Sequence, residues 1–376
     1  RGRTPATMLA FVSMFFLGLG VTLVGATAQN VGIAPEQVGI LITIQQLGFL
    51  SSVALAGSMA DRKSKTAILT VGCVMVAVGI YCFFLWESFA LNLLFMFLIG
   101  AGTGSFEGVT DALLVDAHRQ RANLFITLNH FFVVFGALLI TVYMYFLQLQ
   151  WRAALLQAAV ILVALAVLGI LVKDPPVASA GGPDRRRILE LFRNPTIILL
   201  FVAAACALGL EAGTIGILTS YLVELRGVDP AAAPLGLVLF LAAYGLGRAV
   251  LGPFIVQQRI TRWLVILFAA STVTLLGMYA LSLPWLLYVF IVLAGLTVTN
   301  LLPLLIALAG KAFPDAPATA MGILKLGIPV GGVVLPFLLS AVTTIMSLQV
   351  ALYLFPVTAL AGFLVTLRLD RRVPAA

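Results

Sequence analysis

The sequence predicts an all-α membrane protein: twelve transmembrane helices in two six-helix bundles. Three observations carry this. Of 376 residues, 62% are hydrophobic and only 10% are charged, whereas an ordinary soluble domain is about 25% charged. The apolar residues fall into twelve runs, each near the roughly 20 residues that a helix needs to cross a bilayer. The Lys and Arg residues between the runs lie almost wholly on alternate sides. Surface-to-volume scaling leaves too much of such a chain exposed for water to be its solvent. That sets aside a soluble enzyme, a nucleic-acid binder and a disordered chain. The runs also exceed the roughly 10-residue alternating segments of a transmembrane barrel.

Cutting at charged, Pro and Gly clusters places spans at 7–27, 37–59, 66–85, 90–116, 123–146, 152–172, 196–223, 231–256, 263–281, 285–310, 317–343 and 348–368. Residues 1–172 form the first bundle and 196–376 the second. Between them, 173–195 is a polar linker with Pro175, Pro176, Gly181, Gly182 and Pro183. Its triplet Arg185, Arg186 and Arg187 has a second possible use in binding lipid headgroups. With the N-terminus inside, the outer loops hold only Arg152 and Arg226. Arg248 and Lys325 lie within spans, and every other Lys and Arg faces the cytoplasm. Positive-inside bias therefore predicts both termini on the cytoplasmic side of the cytoplasmic membrane. Trp86, Trp151, Trp263 and Trp285 fall at span ends, where aromatic belts form.

Cys73, Cys82 and Cys206 sit in apolar runs without paired spacing and read as packing residues. His118 and His130 are too few for a zinc cluster, so no metal is expected. No GxxxxGK[ST] loop is present, which excludes a visible ATP motor. No cofactor and no enzyme activity are expected.

After the second span the chain reads Gly57-Ser58-Met59-Ala60-Asp61-Arg62-Lys63-Ser64-Lys65, and after the eighth Gly252-Pro253-Phe254-Ile255-Val256-Gln257-Gln258-Arg259. The first resembles the loop 2–3 signature of the major facilitator superfamily, with Met59 and Ser64 replacing its Leu and second Gly. The second resembles a degraded copy. Gly57 permits close helix approach, and Asp61 is placed to pair with a helix N-terminus or a basic side chain at an inner gate. Arg62, Lys63 and Lys65 are expected chiefly to fix topology. The resemblance covers the whole chain and implies alternating access by two rocking halves. Span 5 reads Phe132-Val133-Val134-Phe135-Gly136-Ala137-Leu138, without the Gly-Pro signature of the superfamily's drug exporters.

Five ionisable residues lie deep in spans: Glu107, Asp111, Glu211, Arg248 and Lys325. Such residues by default face a bundle interior and mark function. Static pairing of the two cations with the three acids is the alternative. Glu107 and Asp111 are four apart and share one helix face, as a coupled pair suited to carrying a proton. Gly104-Ser105-Phe106-Glu107-Gly108-Val109-Thr110-Asp111, Leu128-Asn129-His130-Phe131-Phe132, Gly209-Leu210-Glu211 with Tyr221-Leu222, and Gly247-Arg248 resemble the fucose permease branch of proton-coupled sugar symporters. The resemblance implies that Glu107 is the proton-linked carboxylate and Glu211 a substrate or coupling residue. Departures are the acid-free span 1, Asp111 in place of Asn, and Ile217 in place of Trp. Lys325, within Gly322-Ile323-Leu324-Lys325-Leu326-Gly327, is similar to the span-11 Lys of oxalate and monocarboxylate transporters.

Gln45, Gln46, Asn129, His130, Tyr143, Thr214, Tyr244 and Asn300 are further cavity candidates. Adjacent Gln45 and Gln46 point about 100° apart, so one of them is expected to face inward. Pro303, Pro329 and Pro336 are expected to kink spans 10 and 11. The expectation is a secondary active transporter of a small polar solute, sugar-like by resemblance and proton-coupled. Alternatives are a carboxylate carrier using Lys325 and Arg248, a lipid or amphiphile transporter, and a non-transporting receptor or scaffold. Expected partners are a small-molecule substrate, protons and membrane lipids, with no nucleic acid; the resemblance implies a monomer.

Overall fold

The computed structural model describes residues 3–60, 64–118, 121–146, 150–172, 190–251, 259–281, 283–313 and 317–372. Among these the chain forms twelve helical spans: α1 (Arg3–Val31), α2 (Pro35–Ala60), α3 (Lys65–Cys82), α4 (Phe89–Ala117), α5 (Ala122–Phe146), α6 (Trp151–Leu171), α7 (Pro195–Arg226), α8 (Pro234–Leu251), α9 (Ile260–Ala280), α10 (Pro284–Ala312), α11 (Pro317–Ile345) and α12 (Leu348–Arg372). Ten are long and apolar enough to cross a membrane, and α8 holds the shorter apolar stretch Pro234–Arg248. Helices close every backbone hydrogen bond within one segment, which hydrocarbon demands. The sequence-predicted spans match these helices to within a few residues. The predicted end of span 8 lies outside the described residues.

Span 3 stops at Cys82, short of the predicted residue 85, because α4 supplies a competing set of bonds. The Asn92 carbonyl accepts from the Phe84 N–H at 2.6 Å, and its amide donates to the carbonyls of Trp86 (3.2 Å) and Ser88 (3.0 Å). Phe84 adopts a left-handed φ of 48°, unusual for a bulky residue. Short polar caps open α3, α4 and α7. The Ser64 and Ser88 hydroxyls accept from the N–H groups of Ala67 and Leu91, and Asn194 accepts from Thr196 ahead of Pro195. Gly227, at φ 64°, ends α7.

Two helices are interrupted. Helix α10 runs as Pro284–Val298 and Leu301–Ala312. Pro303 lacks the N–H that would bond back toward Thr299. The Thr299 hydroxyl and the Asn300 amide instead donate to the carbonyls of Tyr244 (2.7 Å) and Gly247 (3.0 Å) on α8. Helix α12 runs as Leu348–Leu352 and Leu354–Arg372. Helix α11 stays helical through Pro329 and Pro336.

The chain divides into two compact units, Arg1–Ile33 with Leu41–Gly182, and Ala34–Ile40 with Pro183–Ala376. In the first, α1 packs on α5, and α3 lies against α4 and α6. Small residues make the crossings. A side chain at Gly100 would collide with the Gln45 carbonyl, and one at Gly48 with the Phe97 carbonyl, so α2 and α4 meet backbone to backbone. In the second, α7 packs on α11 and α12, and α8 on α10. Gly331 of α11 faces the Ala205 carbonyl of α7 with no room for a Cβ.

Helix α6 shows how sequence sets orientation. Leu156, Val160, Val163 and Val167 form one stripe at helical spacing and are about half exposed, while Ala158, Leu162, Leu165 and Ala166 are buried behind them. Such an apolar outer stripe is an aggregation liability in water but the required face toward lipid. The four Trp residues sit in the α3–α4 turn or within the first four residues of α6, α9 and α10.

Candidate functional site

Four of the five membrane-embedded charges gather in two clusters, one in each unit. The first joins α4 to α5. Glu107 and Asp111 lie one turn apart on α4. Helix α5 brings Asn129 and His130 to them, because Leu128 and Phe131 take the outer face. The Asn129 amide Nδ2 donates to the Asp111 carboxylate at 3.0 Å and to the Thr110 hydroxyl at 2.9 Å. His130 Nε2 lies 3.2 Å from the other Asp111 oxygen. One ligand atom from each of Glu107, Asp111 and His130 falls within 4.8 Å of the others. Asn129 is fully buried, whereas the His130 and Asp111 side chains keep 36% and 23% of their exposure. The arrangement is a half-buried acid–imidazole cluster able to hold a cation or a proton. Its members were legible singly in the sequence, but Thr110, an acceptor for Asn129, was not. Its only signal is its place beside Asp111.

The second cluster joins α7 to α8. Arg248 Nη2 donates to the Tyr244 hydroxyl at 2.7 Å, with the guanidinium 4.9 Å from the ring centroid. Tyr244 and Arg248 are one turn apart on α8. The Tyr244 hydroxyl lies beside the Glu211 carboxylate of α7. Arg248, Tyr244 and Glu211 therefore form a polar chain across the helix pair. Arg248 Nε is buried without a hydrogen-bond partner among the described residues. That leaves one N–H of a charged fork available to an oxygen ligand.

Other candidates fall elsewhere. Gln45 Nε2 donates to the Gly20 carbonyl at 2.7 Å, tying α2 to α1. Gln45 and Gln46 are both buried, at 4% and 6% exposure, whereas one inward-facing residue was expected. The Gln46 Oε1 has no hydrogen-bond partner among the described residues. Asn300 serves the break in α10. Lys325 is half-buried on α11. Tyr143 donates to Gln157 Oε1 of α6. Gly57 lies in α2, while Asp61 and Arg62 lie outside the described residues.

Lys65, expected chiefly to fix topology, also takes part in packing. It is 5% exposed, and its ammonium lies 2.9 Å from the carboxylate of Asp116, itself 8% exposed. The pair ties the first turn of α3 to the last turn of α4. Burial and pairing give this Lys a packing function that a loop cation lacks.

The sequence profile of the Major Facilitator Superfamily matches residues 6–283 and 200–376. A Bacillus subtilis (strain 168) protein that bears the name putative niacin/nicotinamide transporter NiaP is 25% identical over 200 residues, covering 50% of this chain and 49% of that protein. The chain thus matches about half the length of this curated relative. Among solved structures, the fold is similar to a bacterial homolog of the human lysosomal transporter Spinster, with TM-score 0.83, 14% identity and coverage of 99% of this chain and 97% of that one. It is also similar to the nucleoside transporter NupG, with TM-score 0.77, 13% identity and coverage of 99% of each chain. A D-xylose-proton symporter gives TM-score 0.79 at 12% identity, covering 100% of this chain and 99% of that one. With its twelve helical spans and the match along its length, this multi-pass integral membrane protein belongs to the Major Facilitator Superfamily.

Proposed function

We propose that the protein is a proton-coupled importer of a small polar, sugar-like solute, with both termini on the cytoplasmic side. The observation that carries this is the α4–α5 cluster, in which Asp111 is bonded to Asn129 and His130 beside Glu107. Two acids and an imidazole in a membrane helix pair form a site where charge and proton occupancy are coupled. Glu107 and Asp111 carry the proton in this reading. Glu211, Tyr244 and Arg248 meet the solute, since hydroxyl groups need paired donors and acceptors. The motif resemblance to the fucose permease branch and the likeness to a D-xylose-proton symporter support a sugar-like cargo. Gly57, Asp61 and Arg62 act at the inner gate.

The test is uptake into proteoliposomes under an inward proton gradient, preceded by a thermal-stabilisation screen of monosaccharides and small carboxylates. A true substrate raises the melting temperature with concentration. Gradient-driven accumulation that Glu107→Gln abolishes supports the proposal; unchanged accumulation in that variant overturns the coupling assignment.

A second reading rests on the buried, unpartnered Arg248 Nε. In it a carboxylate cargo docks on Arg248, with Lys325 as the second cation. Stabilisation by carboxylates but not sugars, lost in Arg248→Gln, favours this reading.

A further inference from the structure

The sequence set metal binding aside because histidine is scarce, yet the fold gives His130 two carboxylate neighbours. We propose that Glu107, Asp111 and His130 form a binding site for a divalent transition-metal cation. This rests on the α4–α5 geometry alone and needs neither the sugar-like cargo nor proton coupling.

Four observations carry it. The first is the donor set: two carboxylate oxygens and one imidazole nitrogen, all within 4.8 Å of one another. Three protein ligands with one open position is a recurrent arrangement for zinc and related ions. An imidazole ligand favours a first-row transition metal over sodium, calcium or magnesium, which prefer oxygen alone. The second is spacing. The Asp111 Oδ2 to His130 Nε2 separation is 3.2 Å, close to the roughly 3.4 Å between neighbouring ligands of a tetrahedral ion with bonds near 2.1 Å. A Glu107 carboxylate oxygen lies within 4.8 Å of both.

The third observation is charge. Ligation by two carboxylates and a neutral imidazole would supply two negative charges, which one divalent cation neutralises within the membrane. The fourth is an oxygen with nothing to do. Asn129 is fully buried, and its Nδ2 pins the amide to Asp111 and Thr110. Its Oδ1, on the same planar group, has no hydrogen-bond partner among the described residues. A buried amide oxygen on the residue that binds Asp111 is a candidate further cation ligand. The partial exposure of Asp111 and His130 leaves the cluster an approach for the ion.

The test is titration of the tag-free, detergent-solubilised full chain with Co²⁺, read by the visible ligand-field band of a nitrogen- and oxygen-ligated ion. The expected result is one saturable equivalent, displaced by Zn²⁺. His130→Gln and Glu107→Gln should each weaken it by about tenfold or more, while His118→Gln leaves it intact. Each variant is matched to the parent by its melting transition. If one does not fold, the other decides. Absence of a saturable band in the parent, or an unchanged band in the two cluster variants, overturns the site. Because the assay reads no transport, its failure leaves the proposed solute coupling standing, and the failure of coupling leaves the metal site standing.

Discussion

The Lys65 ammonium and the Asp116 carboxylate meet at 2.9 Å where the start of α3 passes the end of α4. Both side chains are nearly withdrawn from solvent. The pair couples a loop rich in charge to the helix that carries Glu107 and Asp111. Removing one member strands the other. Lys65→Met or Asp116→Leu alone should therefore cost about 3–5 kcal/mol, whereas the double replacement should cost far less or even stabilise. Thermal unfolding of the three variants in detergent checks this. A double-variant loss equal to the sum of the two single losses would show that the pair is not coupled.

Glu107 and Asp111 differ in their surroundings. Asp111 is bonded to Asn129 and His130. In proteoliposomes, Glu107→Gln and Asp111→Asn should each cut gradient-driven accumulation by about tenfold or more while sparing solute counterflow, because an intramembrane carboxylate that carries the proton is needed only for coupling. Accumulation in the parent should rise as the outer pH is lowered from about 7.5 to about 5.5 at fixed inner pH, since the inward proton gradient grows. A flat response would exclude the proton as driving ion.

Tyr244 bridges Arg248 and Glu211. Tyr244→Phe keeps the ring under the guanidinium but deletes the hydroxyl that accepts from Arg248 Nη2. Leaving buried charged groups without that link should destabilise the protein by about 1.5–3 kcal/mol. Arg248→Lys should not restore ligand-induced stabilisation, since an ammonium lacks the planar fork. Melting temperatures with and without ligand separate the two effects.

Gly100 lies directly against the Gln45 carbonyl, where a backbone cannot step aside. Gly100→Val should cost at least about 1–3 kcal/mol from overpacking and lower the yield of monodisperse protein. A substitution at Gly32 meets nothing within 4 Å, but its φ of 71° makes it strained on conformational grounds. Size-exclusion profiles of Gly100→Val and Gly32→Asn discriminate steric from conformational cost, because Asn tolerates the left-handed region.

Composition and hydropathy along the chain were enough to settle the solvent, the helices and the buried charges. Hydrocarbon admits only closed hydrogen bonding, so uninterrupted apolar runs had to be helices, and their ends could be placed from charged, Pro and Gly clusters. Glu107, Asp111, Glu211 and Arg248 stood out because ionisable groups are costly in lipid. Which of them meet was not written there. Helical spacing joins Glu107 to Asp111, and Tyr244 to Arg248, within one helix. Only the crossing of α5 over α4 delivers Asn129 and His130 to Asp111, and only the approach of α7 to α8 sets Glu211 beside Tyr244. Lys65 read as a loop cation because burial is a property of neighbours, and its neighbour Asp116 is 51 residues away in the chain. Local chemistry is periodic and therefore legible along the chain; long-range pairing depends on where small residues such as Gly48, Gly100 and Gly331 let two backbones meet, and that is decided by tertiary packing.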